Sequence, residues 1–440
     1  MLLPNPDRLF LPLLAAFLLA APAGAAAQQP RGTASVIAIP PLATAKVVDT
    51  EAGTTWEIAN RIAELVSADL KSATGFIIAD VKDVRTPSFP EVTAPAFAQW
   101  RATNAKYLMS GFVNARSDGR LTIGCYVYDV QSGREVTRQG FAVAPTDWRR
   151  AAHRCADAAY TKATGNPATF DSRIVYVAQS GRPEAPTKRI AVMDFDGANH
   201  GFLTDEQTTV LTPHWSPKAD RIAYTSYRDG RLHVRLLDAA TGADRPLLPP
   251  GSSSFAPAFS PDGERIALSM SINGNVDIYA VPADGNFPQR LTASPAIDTS
   301  PSYSPDGTRI AFVSDRSGSP QLYVMDADGT NQARVSFGRG DYGSPAWSPD
   351  GKRLAFTVTD GVAKRIGVMN ANGSEELAVT AGAEDEQPSW SPDGTRILFQ
   401  RLDRSAGRTQ LASVAASGGE ARPVPTPQGA SDPAWAERQQ

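Results

Sequence analysis

Residues 302–315 read SYSPDGTRIAFVSD, and close copies of that phrase recur through the second half of the chain. The copies are PHWSPKADRIAY from Pro213, PAFSPDGERIAL from Pro257, PSYSPDGTRIAF from Pro301, PAWSPDGKRLAF from Pro345 and PSWSPDGTRILF from Pro388, at steps of 44, 44, 44 and 43 residues. A period in this range marks an array built from one structural unit. Each part of the unit has a physical reading. Ser-Pro-Asp-Gly is a tight reversal, in which Pro presets φ, Ser and Asp cap local N–H groups, and Gly takes a conformation with positive φ. The reversal joins a short Pro-x-aromatic-Ser strand to a longer Arg-Ile-Ala-Phe strand. In the copy from Pro301, SDRSGSPQ then turns, QLYVMD is a third strand, ADGT turns again and QARVSF is the fourth. Four antiparallel strands in 44 residues make a propeller blade.

The number of blades follows from counting. Pro-x-aromatic stands at Pro213, Pro257, Pro301, Pro345, Pro388 and Pro433, and the Arg-Ile type of strand at Arg173, Arg221, Arg265, Arg309, Arg353 and Arg396, so each occurs six times with the two series offset by one. RIVYV at Arg173 has no SPDG strand before it, and the last copy, DPAWAERQQ, has an inner strand and no more. The C-terminal PAW strand is therefore expected to complete the blade begun by RIVYV. Such a closure removes the two open sheet edges of a linear array.

Residues 34–164 do not repeat. SVIAIPP reads as a strand. Residues 54–72 place Ile58, Ile62, Leu65, Val66 and Leu70 on one helical face, with Gly75 as a stop. FIIADV, a short helix in AFAQWRATNA, strands in YLMSGFVNA, LTIGCYVYDV and EVTRQGFAV, and a helix over 147–163 complete a βαβαβββα order. The fold class is thus a small α/β domain followed by an all-β six-bladed β-propeller closed by pairing of its N- and C-terminal strands. The boundaries fall at 28–164 for the α/β domain, 165–172 for a linker and 173–440 for the propeller.

Ahead of these lies a different text. Arg8, an apolar run over 9–21 and the small residues Ala25, Ala26 and Ala27 suit a secretory signal over 1–27, cleaved to expose Gln28. The run is short of the ~20 residues that cross a bilayer, so an exported protein with no membrane span is expected. A formal net charge of -3 offers no general attraction for nucleic acid or anionic lipid. Cys125 and Cys155, in a compartment that permits disulfides, could pair or could stand as two buried thiols.

SPDGxRIAF followed by LYVMDADG, after a small α/β domain that ends in the helix DWRRAAHRCADAAY, resembles the TolB family of periplasmic Tol-Pal propeller proteins. The resemblance covers nearly all of the chain after the signal. It implies a monomeric, cofactor-free, non-enzymatic adaptor in the periplasm. The propeller mouth would bind the lipoprotein Pal, and the N-terminus near Gln28 would engage TolA, so that the protein supports outer-membrane integrity and envelope constriction in division. Ser253, Ala256 and Thr299 match positions of the Pal-binding mouth. The stretch between the signal and SVIAIP, QQPRGTA, is shorter than the tail that family members often carry at the TolA contact.

No G-x-S-x-G occurs, and the four histidines, His153, His200, His214 and His233, stand singly without H-E-x-x-H or a Cys/His cluster, which disfavours a hydrolase and a zinc site. Asp194 and Asp196 of DFDG, and Asp326 and Asp328 of DADG, start like a calcium loop but lack its twelfth-position acid, and they recur where a hairpin must turn. The repeated Arg before Ile reads as structural, satisfied within its own or a neighbouring blade. The segments before each Pro-x-aromatic strand read as loops at one mouth of the channel, either solvated turns or a partner-binding surface. Acidic residues gather there, at Asp298, Asp341, Glu384, Asp385, Glu386 and Asp432. The nominated surface comprises Ser253, Phe255, Ala256, Asp298, Thr299, Asp341, Tyr342, Asp385 and Glu386. An exported module for peptidoglycan or carbohydrate is the competing reading, with only Phe255 and Tyr342 as aromatic platforms.

Overall fold

The computed structural model describes residues 34–437 apart from 74, 183, 184, 207, 250, 252, 362 and 383. The expected signal over 1–27 and Gln28 lie outside the described residues. The chain opens with β1 (Ser35–Ala38), a two-residue hairpin β2 (Asp49–Thr50) and β3 (Gly53–Thr54), and α1 (Thr55–Ser72). α1 starts where it does because Thr54 and Glu57 form a capping box: Glu57 N–H donates to Thr54 Oγ1 at 3.1 Å and Thr54 N–H to Glu57 Oε2 at 2.8 Å. There follow β4 (Phe76–Ile78), α2 (Phe97–Ala102), β5 (Tyr107–Ala115), β6 (Leu121–Asp129), β7 (Arg134–Val143) and α3 (Trp148–Thr164). The sheet order is β4-β1-β5-β6-β7, with β1 parallel to both neighbours and the rest antiparallel. α1 and α3 bury Ile58, Ile62, Val66, Leu70, Ala152 and Ala156 in one core with Ile37, Met109 and Ile123 of the sheet. Trp100 of α2 packs with Leu108 and Tyr128 in a second cluster. The cysteines are bonded: Cys125 of β6 and Cys155 of α3 form a disulfide with their Cα atoms 5.9 Å apart, which ties the helix to the sheet.

Six four-stranded sheets form the ring. Blade 1 takes Ser172–Arg182, Ala185–Asp194 and Gly201–Phe202 from the start of the propeller, and its innermost strand, Gly429–Glu437, from the end of the chain. That strand pairs antiparallel with Ser172–Arg182, placing Trp435 opposite Ile174, as the offset of the two motif series requires. Apolar side chains collect between neighbouring blades as well as within them. Leu322 and Val324 of blade 4, for example, share a cluster with Trp347, Leu354 and Phe356 of blade 5.

The SPDG reversal works as a capping device. Ser304, fully buried, accepts from Arg309 N–H at 3.0 Å, while Asp306 Oδ1 accepts from Ser304 Oγ and Thr308 N–H at 2.6 and 3.0 Å. These bonds hold the Asp306 carboxyl down at about 2, the Ser304 hydroxyl being the largest influence. Gly307 takes φ +72°, and a Cβ there would sit 3.6 Å from Pro261 of the preceding reversal, so the turns nest around the ring. The repeated arginines have a partner that the sequence did not suggest. Arg309 lies 4.6 Å over the Trp347 ring and Arg353 4.8 Å over Trp390, each guanidinium covering the aromatic residue of the next blade.

The innermost strands do not begin at the Pro-x-aromatic motif; they run Thr209–Trp215, Ser253–Phe259, Asp298–Tyr303, Asp341–Trp347 and Asp385–Trp390. Among the described residues, most of the segments taken for mouth loops are thus strand. A bulge divides each strand, with the ladder register shifting between Phe255 and Ala258 in blade 3 and at equivalent places elsewhere. The residues before it resume pairing on the far side.

Candidate functional site

The bulges define the channel. The residue before each motif proline has positive φ: Thr212 (44°), Ala256 (50°), Ser300 (53°), Ser344 (48°), Gln387 (56°) and Asp432 (49°). This is the left-handed region, costly for residues other than glycine, and a following proline restricts it further. The neighbouring blade helps to hold it. Ala256 N–H donates to Thr225 Oγ1 (3.0 Å), Ser300 N–H to Ser269 Oγ (3.1 Å), Gln387 N–H to Thr357 Oγ1 (3.2 Å) and Asp432 N–H to Gln400 Oε1 (2.8 Å), each acceptor lying on the preceding blade. The bulge peptide that cannot join its own ladder is thereby satisfied across the blade boundary.

These six residues line a central cavity of about 540 Å³, together with the motif prolines, His214, Phe259, Tyr303 and Trp435. Asp432 closes the ring chemically as well as topologically. Its carboxyl accepts from Ser431 Oγ at 2.8 Å and from Thr212 N–H of blade 2, and burial pushes its pKa up. His214 also lines the channel, where burial pushes its imidazole down and Nδ1 lies 2.9 Å from Trp215 O.

The nominated residues separate by strand alternation. Ala256 lines the cavity. Ser253, Phe255, Thr299 and Glu386 are half-buried and Asp341 is exposed, all towards the outer ends of the same strands. Asp298, Tyr342 and Asp385 stand three residues before their prolines and are 0%, 2% and 0% exposed. They face the blade interior and offer nothing to a partner, which corrects the expectation for these three. Arg316 Nη2 holds Asp298 at 2.9 and 3.1 Å, and Arg401 grips Asp385 with two bonds of 2.7 and 2.8 Å. Tyr342 donates its hydroxyl to Glu376 at 2.8 Å. Glu386 in turn pairs with Lys364 at 2.7 Å, and Glu384 with Arg404. The expected one-signed acidic rim is therefore largely a set of ion pairs. A sequence signal for this existed: the same position in blades 2 and 3 holds Val210 and Ser254, both 1% exposed, so an inward face could have been read by extending the two-residue alternation upstream. The channel residues Thr212, Ser300, Ser344, Gln387 and Asp432 were missed as a set because nothing in the letters announces a positive φ before proline.

Among the described residues no helix is long and apolar enough to cross a membrane. Two family models match the chain, the TolB beta propeller domain over residues 160–439 and the TolB amino-terminal domain over 30–136. Over 203 residues the chain is 48% identical to the Tol-Pal system protein TolB of Zymomonas mobilis, covering 46% of this chain and 44% of the relative. Over 232 residues it is 50% identical to that of Rhizorhabdus wittichii, covering 51% and 52%. The matched stretch thus spans about half the length of these curated relatives. The fold is similar to the crystal structure of TolB from Acinetobacter baumannii, with a TM-score of 0.76 and 28% identity over 92% of this chain and 97% of that one.

Proposed function

The chain belongs to the TolB family, and from that premise we propose that it is a non-catalytic periplasmic adaptor of the Tol-Pal system, linking the inner-membrane Tol complex to the lipoprotein Pal. In this role it supports outer-membrane integrity and constriction of the envelope in division. The supporting observation is the channel mouth, where six residues with a backbone fixed in the left-handed region present short or polar side chains around one cavity. A rigid rim of this kind suits docking, because little conformational entropy is lost when a partner settles on it. Pal occupies the rim through Ala256, with Ser253, Phe255, Thr299, Asp341 and Glu386 flanking it. TolA engages the segment near Gln28, outside the described residues. The adaptor works as a monomer, with 28–164 and 173–440 as its two domains.

Binding of the purified soluble part of Pal tests the reading. Ala256→Arg should weaken it by about 2 kcal/mol or more, since a charged group is forced into the centre of the interface, and Thr299→Arg by less. Neither change should move the melting temperature much. Unchanged affinity in both variants would place the interface elsewhere, and binding of peptidoglycan fragments with no binding of Pal would favour the carbohydrate module.

A further inference from the structure

The seam between the two domains holds a second cluster that the Tol-Pal reading does not use. The Asp194-Phe195-Asp196-Gly197 turn of blade 1 lies against α1 and α3. His153 of α3 is 1% exposed there, and its Nδ1 is 2.8 Å from Oδ2 of Asp69 on α1. In the neutral imidazole with Nδ1 donating to that carboxylate, the lone pair is on Nε2 and points away from Asp69. Nε2 is buried, has no hydrogen-bond partner, and lies 3.9 Å from Asp196 Oδ2. One ligand atom each from His153, Asp194 and Asp196 can be chosen so that all lie within 4.8 Å of one another.

We propose that His153, Asp194 and Asp196 form a divalent transition-metal site, suited to Zn²⁺, that joins the α/β domain to the propeller. Three features support it. An imidazole oriented by a carboxylate on its other nitrogen is the usual outer shell of a histidine ligand, and here Asp69 supplies it. One nitrogen with two carboxylates suits Zn²⁺ better than Ca²⁺ or Mg²⁺, which take oxygen alone. The carboxylates are themselves held, Asp194 Oδ2 by Asn199 Nδ2 at 2.6 Å and Asp196 Oδ1 by Ala198 N–H at 3.1 Å. The Asp196 side chain is 23% exposed, which leaves a route from solvent. Tetrahedral Zn²⁺ ligands with bonds of about 2.1 Å stand roughly 3.4 Å apart, so an ion would draw the blade 1 turn closer to α3. Arg149 already pairs with Asp196 Oδ2 and competes for its charge.

The test uses the untagged full-length protein, stripped by a chelator and titrated calorimetrically with ZnCl₂ alone. One ion per chain is expected, with at least tenfold weaker binding in Asp196→Asn and in His153→Gln. Arg149→Gln should bind more tightly, and Asp328→Asn, in the corresponding turn of blade 4, should leave binding unchanged. X-ray absorption on the zinc-loaded parent should show imidazole scattering, a readout that does not depend on any variant folding. No stoichiometric uptake, uptake indifferent to Asp196→Asn, or a zinc shell without imidazole would each overturn the proposal.

Discussion

Blade 1 and blade 4 make the same turn between their third and fourth strands and use it differently. In blade 4, Asp326 N–H donates to Thr330 O at 2.9 Å, Asn331 Nδ2 donates to Asp326 Oδ2 at 2.6 Å, and Thr330 N–H donates to Asp328 Oδ1 at 2.9 Å. In blade 1 the equivalent bonds are Asp194 N–H to Ala198 O at 2.8 Å, Asn199 Nδ2 to Asp194 Oδ2 at 2.6 Å, and Ala198 N–H to Asp196 Oδ1 at 3.1 Å. The backbone device is the same, and the neighbours are not. Ala327 and an exposed Asp328 occupy the blade 4 turn. In blade 1, Phe195 packs on Phe170 and edge-on to His153, with centroids 5.7 and 5.4 Å away, and Asp196 meets Arg149 of α3. A repeated turn thus becomes an interdomain anchor through one aromatic side chain and one ion pair, with no change in its own geometry.

Blade 1 is also the composite blade, which gives the largest expected contrast. Deleting residues 431–440 removes all but Gly429 and Ala430 of its innermost strand, with the Gln179 Nε2 to Ser431 Oγ bond and the Trp435 Nε1 to Ser172 Oγ bond, and leaves most of a sheet edge bare. A loss on the order of 5 kcal/mol is expected, comparable with the whole stability of many domains. Thermal melting should show it as a broad, early transition of the ring; a parent-like melt would mean that the closure contributes little.

Replacing Cys125 and Cys155 by serine comes next. The bridge closes a loop of 30 residues, for which chain entropy gives about 3–4 kcal/mol. Because α3 carries Arg149, Arg150 and His153 to the seam, the α/β domain should melt earlier and separately from the propeller. A single cooperative transition at the parent temperature would sink this account.

Phe195→Ala should cost about 2 kcal/mol, below the full range for a buried Phe because the ring is only partly covered. Its signature is the splitting of domain and ring transitions in calorimetry, while Ala327→Phe in blade 4 should leave the trace unsplit. Equal behaviour of the two variants would erase the distinction between the turns.

The smallest effect concerns Asp328, whose carboxyl is held below the usual carboxylate range by the Thr330 hydroxyl and then by the Thr330 N–H. A folded-state pKa below the unfolded one adds stability above the unfolded pKa that is lost as pH falls through the folded pKa. Asp328→Ala should therefore melt slightly below the parent at pH 7 and merge with it in strong acid; a gap that widens on acidification would contradict the sign.

The blades, their number and the closure were legible because SPDG is a local device with a local reason, and counting its copies needs no tertiary knowledge. α1 was legible for the same reason, from its apolar stripe, although it ends at Ser72 with Ala73 as its cap, ahead of the Gly75 stop. What escaped depends on neighbours. Asp298 and Asp385 read as exposed acids because Arg316 and Arg401 reach them only once the strand is extended past the bulge. His153 reads as solitary because the chain must fold through a sheet and a linker before Asp196 meets it. The cysteine pairing stayed open until β6 and α3 were set face to face.

The six left-handed residues before the prolines carry a consequence for how such a ring can diversify. Against the proline's own preference, their backbone is set by the bulge and, at four of them, by a side chain from the preceding blade, neither of which depends on the residue's own side chain. Thr, Ala, Ser, Ser, Gln and Asp fill the six positions within one chain. Scaffold and lining are thereby separately variable: the rim can be rewritten in size, polarity or charge, one blade at a time, while the hydrogen bonds that fix its shape remain those of the neighbouring strand.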